Sequence, residues 1–221
     1  EMRTDEVIRR MAARDFGELA PLMLDIWGDM GESVSRLPYI GAYYMGPEFL
    51  GPAHPLFFED SPALPELFQG SKYLPEFEET FSTTIFERKS PLVVTSLPDA
   101  SRWMQAEDGR DLWELAEAQY GEVVVCSGRA FSMANEARRT GDPAIDKAVE
   151  EERLLIEAIH RTFLSTLHTI RFLRGKQRYE QSGHGAELAR MIASARAELD
   201  NAAEARRLYE TASWLDIRER T

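Results

Sequence analysis

Thr140-Gly141-Asp142-Pro143-Ala144-Ile145 decides how the rest of the chain is read. Glycine ends one helix because it tolerates the left-handed region, aspartate caps the next by accepting from its free N–H groups, and proline fits the first helical position, where no N–H is needed. Downstream, Ile145, Ala148, Val149, Leu155, Ile156, Ile159, Phe163, Leu167, Ile170 and Leu173 recur at helical spacing, which predicts a helix to about Arg174. At ~1.5 Å per residue it would be close to 45 Å long. Gly183 and Gly185 separate it from a last helix with Leu188, Met191, Ile192, Ala195, Leu199, Ala202 and Leu208 on one face. Upstream, Asp111 with Glu114 three residues later has the form of a capping box. The helix it opens turns Leu112, Leu115, Ala116, Val123, Ala130, Phe131 and Ala134 inward, although Gly121 and the β-branched Val123-Val124-Val125 are weak helix formers. Long amphipathic helices joined by short connections pack as antiparallel neighbours, so the expected fold is all-α.

Outside this block, residues 4 to 36 read as two helices. Thr4 is placed to cap the first, Val7, Ile8 and Met11 recur along it, and Phe16-Gly17 breaks it. The second carries Leu19, Leu22, Met23, Ile26, Trp27, Met30 and Val34, tolerates Pro21 in its first turn and stops at Leu37-Pro38. Nine of the eleven prolines then lie between Pro38 and Pro98, which denies that stretch a long helix or a central strand. It reads as an extended Pro- and aromatic-rich irregular segment, relieved by a short strand at Leu92-Val93-Val94-Thr95 and a helical turn or two between Leu74 and Phe86. From Asp99 the helical period returns, with a short helix through Trp103 and Met104. The expected division is therefore 1–98, two helices plus the irregular segment, and 99–221, the helical bundle. Half of the chain's aromatic residues fall between Tyr39 and Phe86. A loop that apolar needs a surface to cover, and that surface is expected outside this chain.

The 221 residues, 43% hydrophobic, suffice for a core. A net charge of -12 disfavours phosphate backbones and anionic bilayers, so neither nucleic acid nor membrane is an expected partner. One cysteine, Cys126, excludes an internal disulfide framework and leaves a cytoplasmic setting as the default. No apolar run of about 18 residues occurs, and Glu1-Met2-Arg3-Thr4 lacks the apolar core of an export signal.

Several constellations invite a chemical reading. Glu157-x-x-His160 has the spacing of carboxylate-bridged di-iron bundles, yet His54, His168 and His184 have no glutamate three residues before them to complete such a site. The plainer alternative is a partly buried histidine paired to a carboxylate. His160 and His168 lie about 80° apart around one helix, too far to share an ion. Glu150-Glu151-Glu152 suits a solvated first turn and the helix dipole. Cys126 reads as a small core residue, Ser127-Gly128 lacks the context of a nucleophile elbow, and no phosphate-binding glycine loop is present, so no cofactor is implied. Between residues 43 and 56, two Gly-Pro steps and His54-Pro55 fix an extended path. Tyr43 and Tyr44 offer flat faces to the C–H surface of sugars, and Glu48 and His54 offer hydrogen bonds to hydroxyls; these four are the candidate substrate-binding residues. The competing reading is a structural loop whose aromatics wedge it under a neighbouring domain.

The run Ile8-Arg9-Arg10-Met11-Ala12-Ala13-Arg14-Asp15-Phe16-Gly17, the helix with Trp27, Leu37-Pro38-Tyr39, Tyr44-x-Gly46-Pro47 and Gly51-Pro52-Ala53-His54-Pro55-Leu56 together resemble a region of large bacterial glycoside-hydrolase-like proteins, downstream of their TIM-type barrel. Ala197-Glu198-Leu199-Asp200-Asn201-Ala202, Tyr209-Glu210 and Trp214-Leu215-Asp216 similarly look like the closing helix of such chains. The resemblance implies a C-terminal helical region that supports a catalytic barrel and lends the 43–56 loop to a sugar site. The pair of catalytic carboxylates belongs in the barrel, so no catalytic residue is carried onto this chain. Its expected partners are that upstream catalytic domain and a carbohydrate ligand, with self-association as a further expectation. A start at Glu1 and an end just after Trp214, Leu215 and Ile217 fit a piece of something longer and fit a trimmed chain equally. Two other functions stay open: a metal-dependent bundle enzyme centred on Glu157 and His160, and an interaction or oligomerisation module.

Overall fold

A computed structural model describes residues 3–37 and 112–215. They form α1 (Thr4–Phe16), α2 (Ala20–Ser35), α3 (Leu112–Glu136), α4 (Pro143–Ser182) and α5 (Gly185–Thr211), with 3-10 turns at Gly17–Leu19 and Ser213–Leu215. Among the described residues there are no strands, so the fold is all-α as the periodicity requires. The predicted short strand, the 74–86 turns, the 99–104 helix and the irregular segment lie outside the described residues.

The helix ends follow local chemistry. At the start of α4, Asp142 Oδ1 accepts from the N–H groups of Ala144 (2.8 Å) and Ile145 (3.4 Å). The Asp146 carboxylate reaches back to the Thr140 N–H at 2.7 Å and its hydroxyl at 2.9 Å, pinning the preceding turn. Gly17, at φ 53°, ends α1, and that conformation favours glycine; a Cβ there would stand 2.9 Å from Cδ1, the tip of the Ile145 side chain. At α1's other end Thr4 is already helical and Arg3 occupies the cap position without a side-chain bond, contrary to the expected threonine cap.

α4 is 40 residues long, about 60 Å, and outruns its predicted end near Arg174. The apolar stripe fades there, but the helix continues, with Arg174 and Arg178 paired to Glu114 on α3. It stops only at Gly183, which is left-handed at φ 67°. α3 likewise runs unbroken through Gly121 and the three valines, since burial of Tyr120, Val123, Cys126 and Ser127 outweighs propensity.

Neighbours in sequence pair in space. Ser33 Oγ donates to the Val123 carbonyl (2.8 Å) and Arg129 to Asp29 (2.7 Å), so α2 and α3 run antiparallel. Arg174–Glu117 at one end and Ser127–His160 further along align α3 antiparallel to α4. Phe16, Met23, Ile26, Ala130, Ala134 and Ile156 form one core among α1 to α4, with Phe16 and Trp27 edge to face at 5.6 Å. Leu154, Ala158, Leu208, Ala212 and Leu215 form a second core among α4, the end of α5 and the chain's last described turn.

Several predicted stripe positions face outward instead. Val7, Ile8, Met11, Val34 and Leu155 are exposed. α1 is buried only through Ala12 and Phe16 near its C-terminal end, Ser33 takes the inward place next to Val34, and Leu154 takes that next to Leu155.

Candidate functional site

The largest departure from the sequence reading is in α5. Its buried residues are Met191, Ser194, Glu198, Asn201, Ala205 and Leu208. Relative to the apolar stripe through Ala195, Leu199 and Ala202, the helix is turned back by one residue, about 100°. Leu199 is left 70% exposed and Ile192 45%, while Glu198 is only 6% exposed. What decides the rotation is the facing surface of α4. There Ser165 donates to Glu198 Oε1 at 2.5 Å, and His168 Nδ1 donates to Glu198 Oε2 at 2.9 Å, both carboxylate oxygens being acceptors. Asn201 Nδ2 donates to the Arg161 carbonyl at 3.0 Å, and its Oδ1 is buried without a partner among the described residues. This seam is polar where an apolar one was available, and such local conflicts concentrate at working sites.

The seam opens onto a cavity of about 520 Å³ between α4 and α5, within the size range of small-molecule sites. His168, Arg171 and Arg178 line it from α4, Glu187, Arg190 and Ser194 from α5, and Glu117 from α3. The helices can approach closely beside it because position 175 is glycine, whose Cβ would stand 2.8 Å from Met191 Cγ. His168 is 8% exposed; with Nδ1 on Glu198, its Nε2 makes no hydrogen bond among the described residues. Fixing one ring nitrogen by a carboxylate orients the other toward a ligand.

The carboxylates of the cavity are clamped. Glu117 accepts from Arg174 Nη1 (2.6 Å) and Arg171 Nε (3.0 Å); burial pushes its carboxyl up, but the two guanidiniums prevail and hold it below the usual range. Glu187 accepts from Arg190 at 2.6 Å. Glu117, so held, is a poor general acid at neutral pH.

The expected Glu157/His160 pair does not converge. Glu157 accepts from Arg153 (3.0 Å) and from Arg161 Nη2 (2.6 Å), within a chain of ion pairs along α4. His160 turns its Nδ1 to the Ser127 hydroxyl at 2.8 Å, stacks on Phe131 at 5.6 Å and lies against Gly128. Its partner is thus a hydroxyl, not the carboxylate of the plainer alternative. Burial first, then the charge of Arg161, lowers the imidazole pKa to about 4 against the pull of Glu157. Among the described residues, no group of three or more His, Cys, Asp or Glu side chains is placed to hold a metal ion. Of the glutamate run, Glu152 is half-buried and accepts from the Trp27 indole at 2.6 Å, so the reading of that run as wholly solvated is corrected. Tyr43, Tyr44, Glu48 and His54 lie outside the described residues.

His168, Glu198, Arg171 and Arg190 are the residues sequence reasoning passed over. For His168, Arg171 and Arg190 the signal was a second periodicity: His168, Arg171, Gly175 and Arg178 on α4, and Glu187, Arg190, Ser194 and Ala197 on α5, each at steps of three and four; Glu198 lies outside it. No helix of the described residues is long and apolar enough to cross a membrane. No protein-family model matches the chain, and no curated protein or solved structure matches it either.

Proposed function

We propose that this chain is a ligand-binding helical module that serves a carbohydrate-active protein as an accessory region, the role implied by its resemblance to glycoside-hydrolase-like chains. The observation that carries the reading is the Ser165–Glu198–His168 cluster beside the α4–α5 cavity, for which α5 gives up its apolar stripe. A glycosidase needs one protonated and one ionised carboxyl across the scissile bond. Glu117 and Glu187 are instead tied to arginines, which favours holding a sugar over cleaving it. The test is titration of the chain with oligosaccharides alongside assays on chromogenic glycosides. Saturable binding without turnover is the expected result, and robust hydrolysis by the chain alone overturns the accessory role.

A second reading, an assembly module, is favoured by Leu199 and Ile192, which the rotation of α5 leaves on its outer face. Sedimentation distinguishes it: a dimer that Leu199→Lys converts to monomer supports assembly through this face, and a monomer at all concentrations removes self-association.

A further inference from the structure

We propose that the α4–α5 cavity takes a small polyhydroxylated anion, a molecule bearing one carboxylate or phosphate group on a hydroxyl-rich body; this rests on the reading of the cavity as a ligand site. The donors come from two helices. Arg171 on α4 spends its Nε on Glu117, and its terminal amino groups make no hydrogen bond among the described residues. Arg190 on α5 spends Nη1 on Glu187, which leaves Nε and Nη2 without a hydrogen bond there. Both side chains line the cavity, and planar guanidinium forks match the oxygens of a carboxylate or phosphate.

His168 supplies the third contact. Its ring lines the cavity, its Nδ1 is held by Glu198, and Nε2 has no partner among the described residues. With Nδ1 donating to Glu198, Nε2 is the ring's acceptor and takes a hydroxyl of the ligand's body. Ser165 holds Glu198 in turn, so the orientation passes through three buried side chains. The rest of the lining sets the body of the ligand. Glu117 and Glu187 are acceptors, suited to hydroxyls and hostile to a second anionic group. The cavity, at about 520 Å³, is far roomier than a bare oxyanion requires. In a chain of net charge -12, arginines gathered in a concave site make it a place where an anion is drawn in rather than repelled.

The experiment is calorimetric titration of the whole 221-residue chain, at low ionic strength, with glucuronate, a glucose monophosphate and glucose. The same titrations are run on Arg171→Gln and Arg190→Gln, which change exposed side chains on different helices and are checked for helicity by circular dichroism. The expected result is binding of one or both anions, none of glucose at the same concentrations, and at least about tenfold weaker binding in each variant. Which anion binds tells a carboxylate source from a phosphate source. Glucose binding as well as the anions do, unaffected by either substitution, overturns the inference and leaves the sugar-binding reading standing. Anion binding that neither substitution weakens overturns the inference as well, because it places the anion elsewhere. Failure of all three probes to bind overturns both.

Discussion

Replacing Glu198 by leucine separates a polar cluster kept for binding from one kept for stability. In the folded chain Glu198 is 6% exposed and accepts from Ser165 at 2.5 Å and from His168 at 2.9 Å. Leucine at 198 leaves the His168 N–H without its acceptor and takes from Ser165 the carboxylate it donates to. Losing these two buried bonds costs about 1–3 kcal/mol each, offset in part by the added apolar burial, so the single variant should lose about 3 kcal/mol. The triple variant Ser165→Ala, His168→Leu, Glu198→Leu removes donors and acceptor together. An apolar replacement of a whole buried network is commonly neutral or stabilising, so it should return to within about 1 kcal/mol of the parent, or exceed it. Urea denaturation at neutral pH, followed by circular dichroism, measures both differences. A triple variant as unstable as Glu198→Leu would refute the reasoning. The cluster would then be a stabiliser in its own right, and its burial would no longer argue for a ligand.

Three further predictions follow from the packing around α4. The His160 pKa is held at about 4, below the 6.5 of the unfolded chain, so unfolding takes up a proton between those values and stability falls as pH drops through that window. Between pH 7.5 and pH 5 the parent should lose about 2 kcal/mol more than His160→Asn, measured by urea denaturation at the two pH values; equal losses refute it. Gly175→Ala puts a Cβ 2.8 Å from Met191 Cγ and should cost about 1–2 kcal/mol net of its helix-propensity gain, seen as a lowered melting temperature. An unchanged or raised melting temperature would mean that α5 moves aside freely. Asp142→Ala removes the acceptor for the Ala144 and Ile145 N–H groups and should cost about 1 kcal/mol in the same denaturation assay.

How much of this was legible in the sequence depended on whether a position is governed by local or by facing chemistry. The Thr140-Gly141-Asp142-Pro143 punctuation was readable because every bond it makes lies within six residues, and the structure uses Asp142 and Pro143 as read, although α3 already ends at Glu136 and not at Gly141. The break at Gly17 was readable for the same reason, although its closeness to Ile145 was not. The site was hidden because its parts are far apart in sequence: Ser165 and His168 meet Glu198 at separations of 33 and 30 residues, across two helices. A stripe rule that turns apolar residues inward has no means of knowing that α4 offers a hydroxyl and an imidazole where α5 could offer a carboxylate. It therefore chose Leu199 over its neighbour Glu198, and the choice failed at the one seam where buried hydrogen bonds outweigh apolar area. At Met191 and Leu208, toward either end of α5, the rule held, because the residues facing them are aliphatic or glycine. The error is thus confined to the middle of α5, and its confinement is informative. A helix that packs by the apolar rule near both ends and abandons it between them is being held by something specific to that middle. The cluster beside the cavity supplies that specific hold.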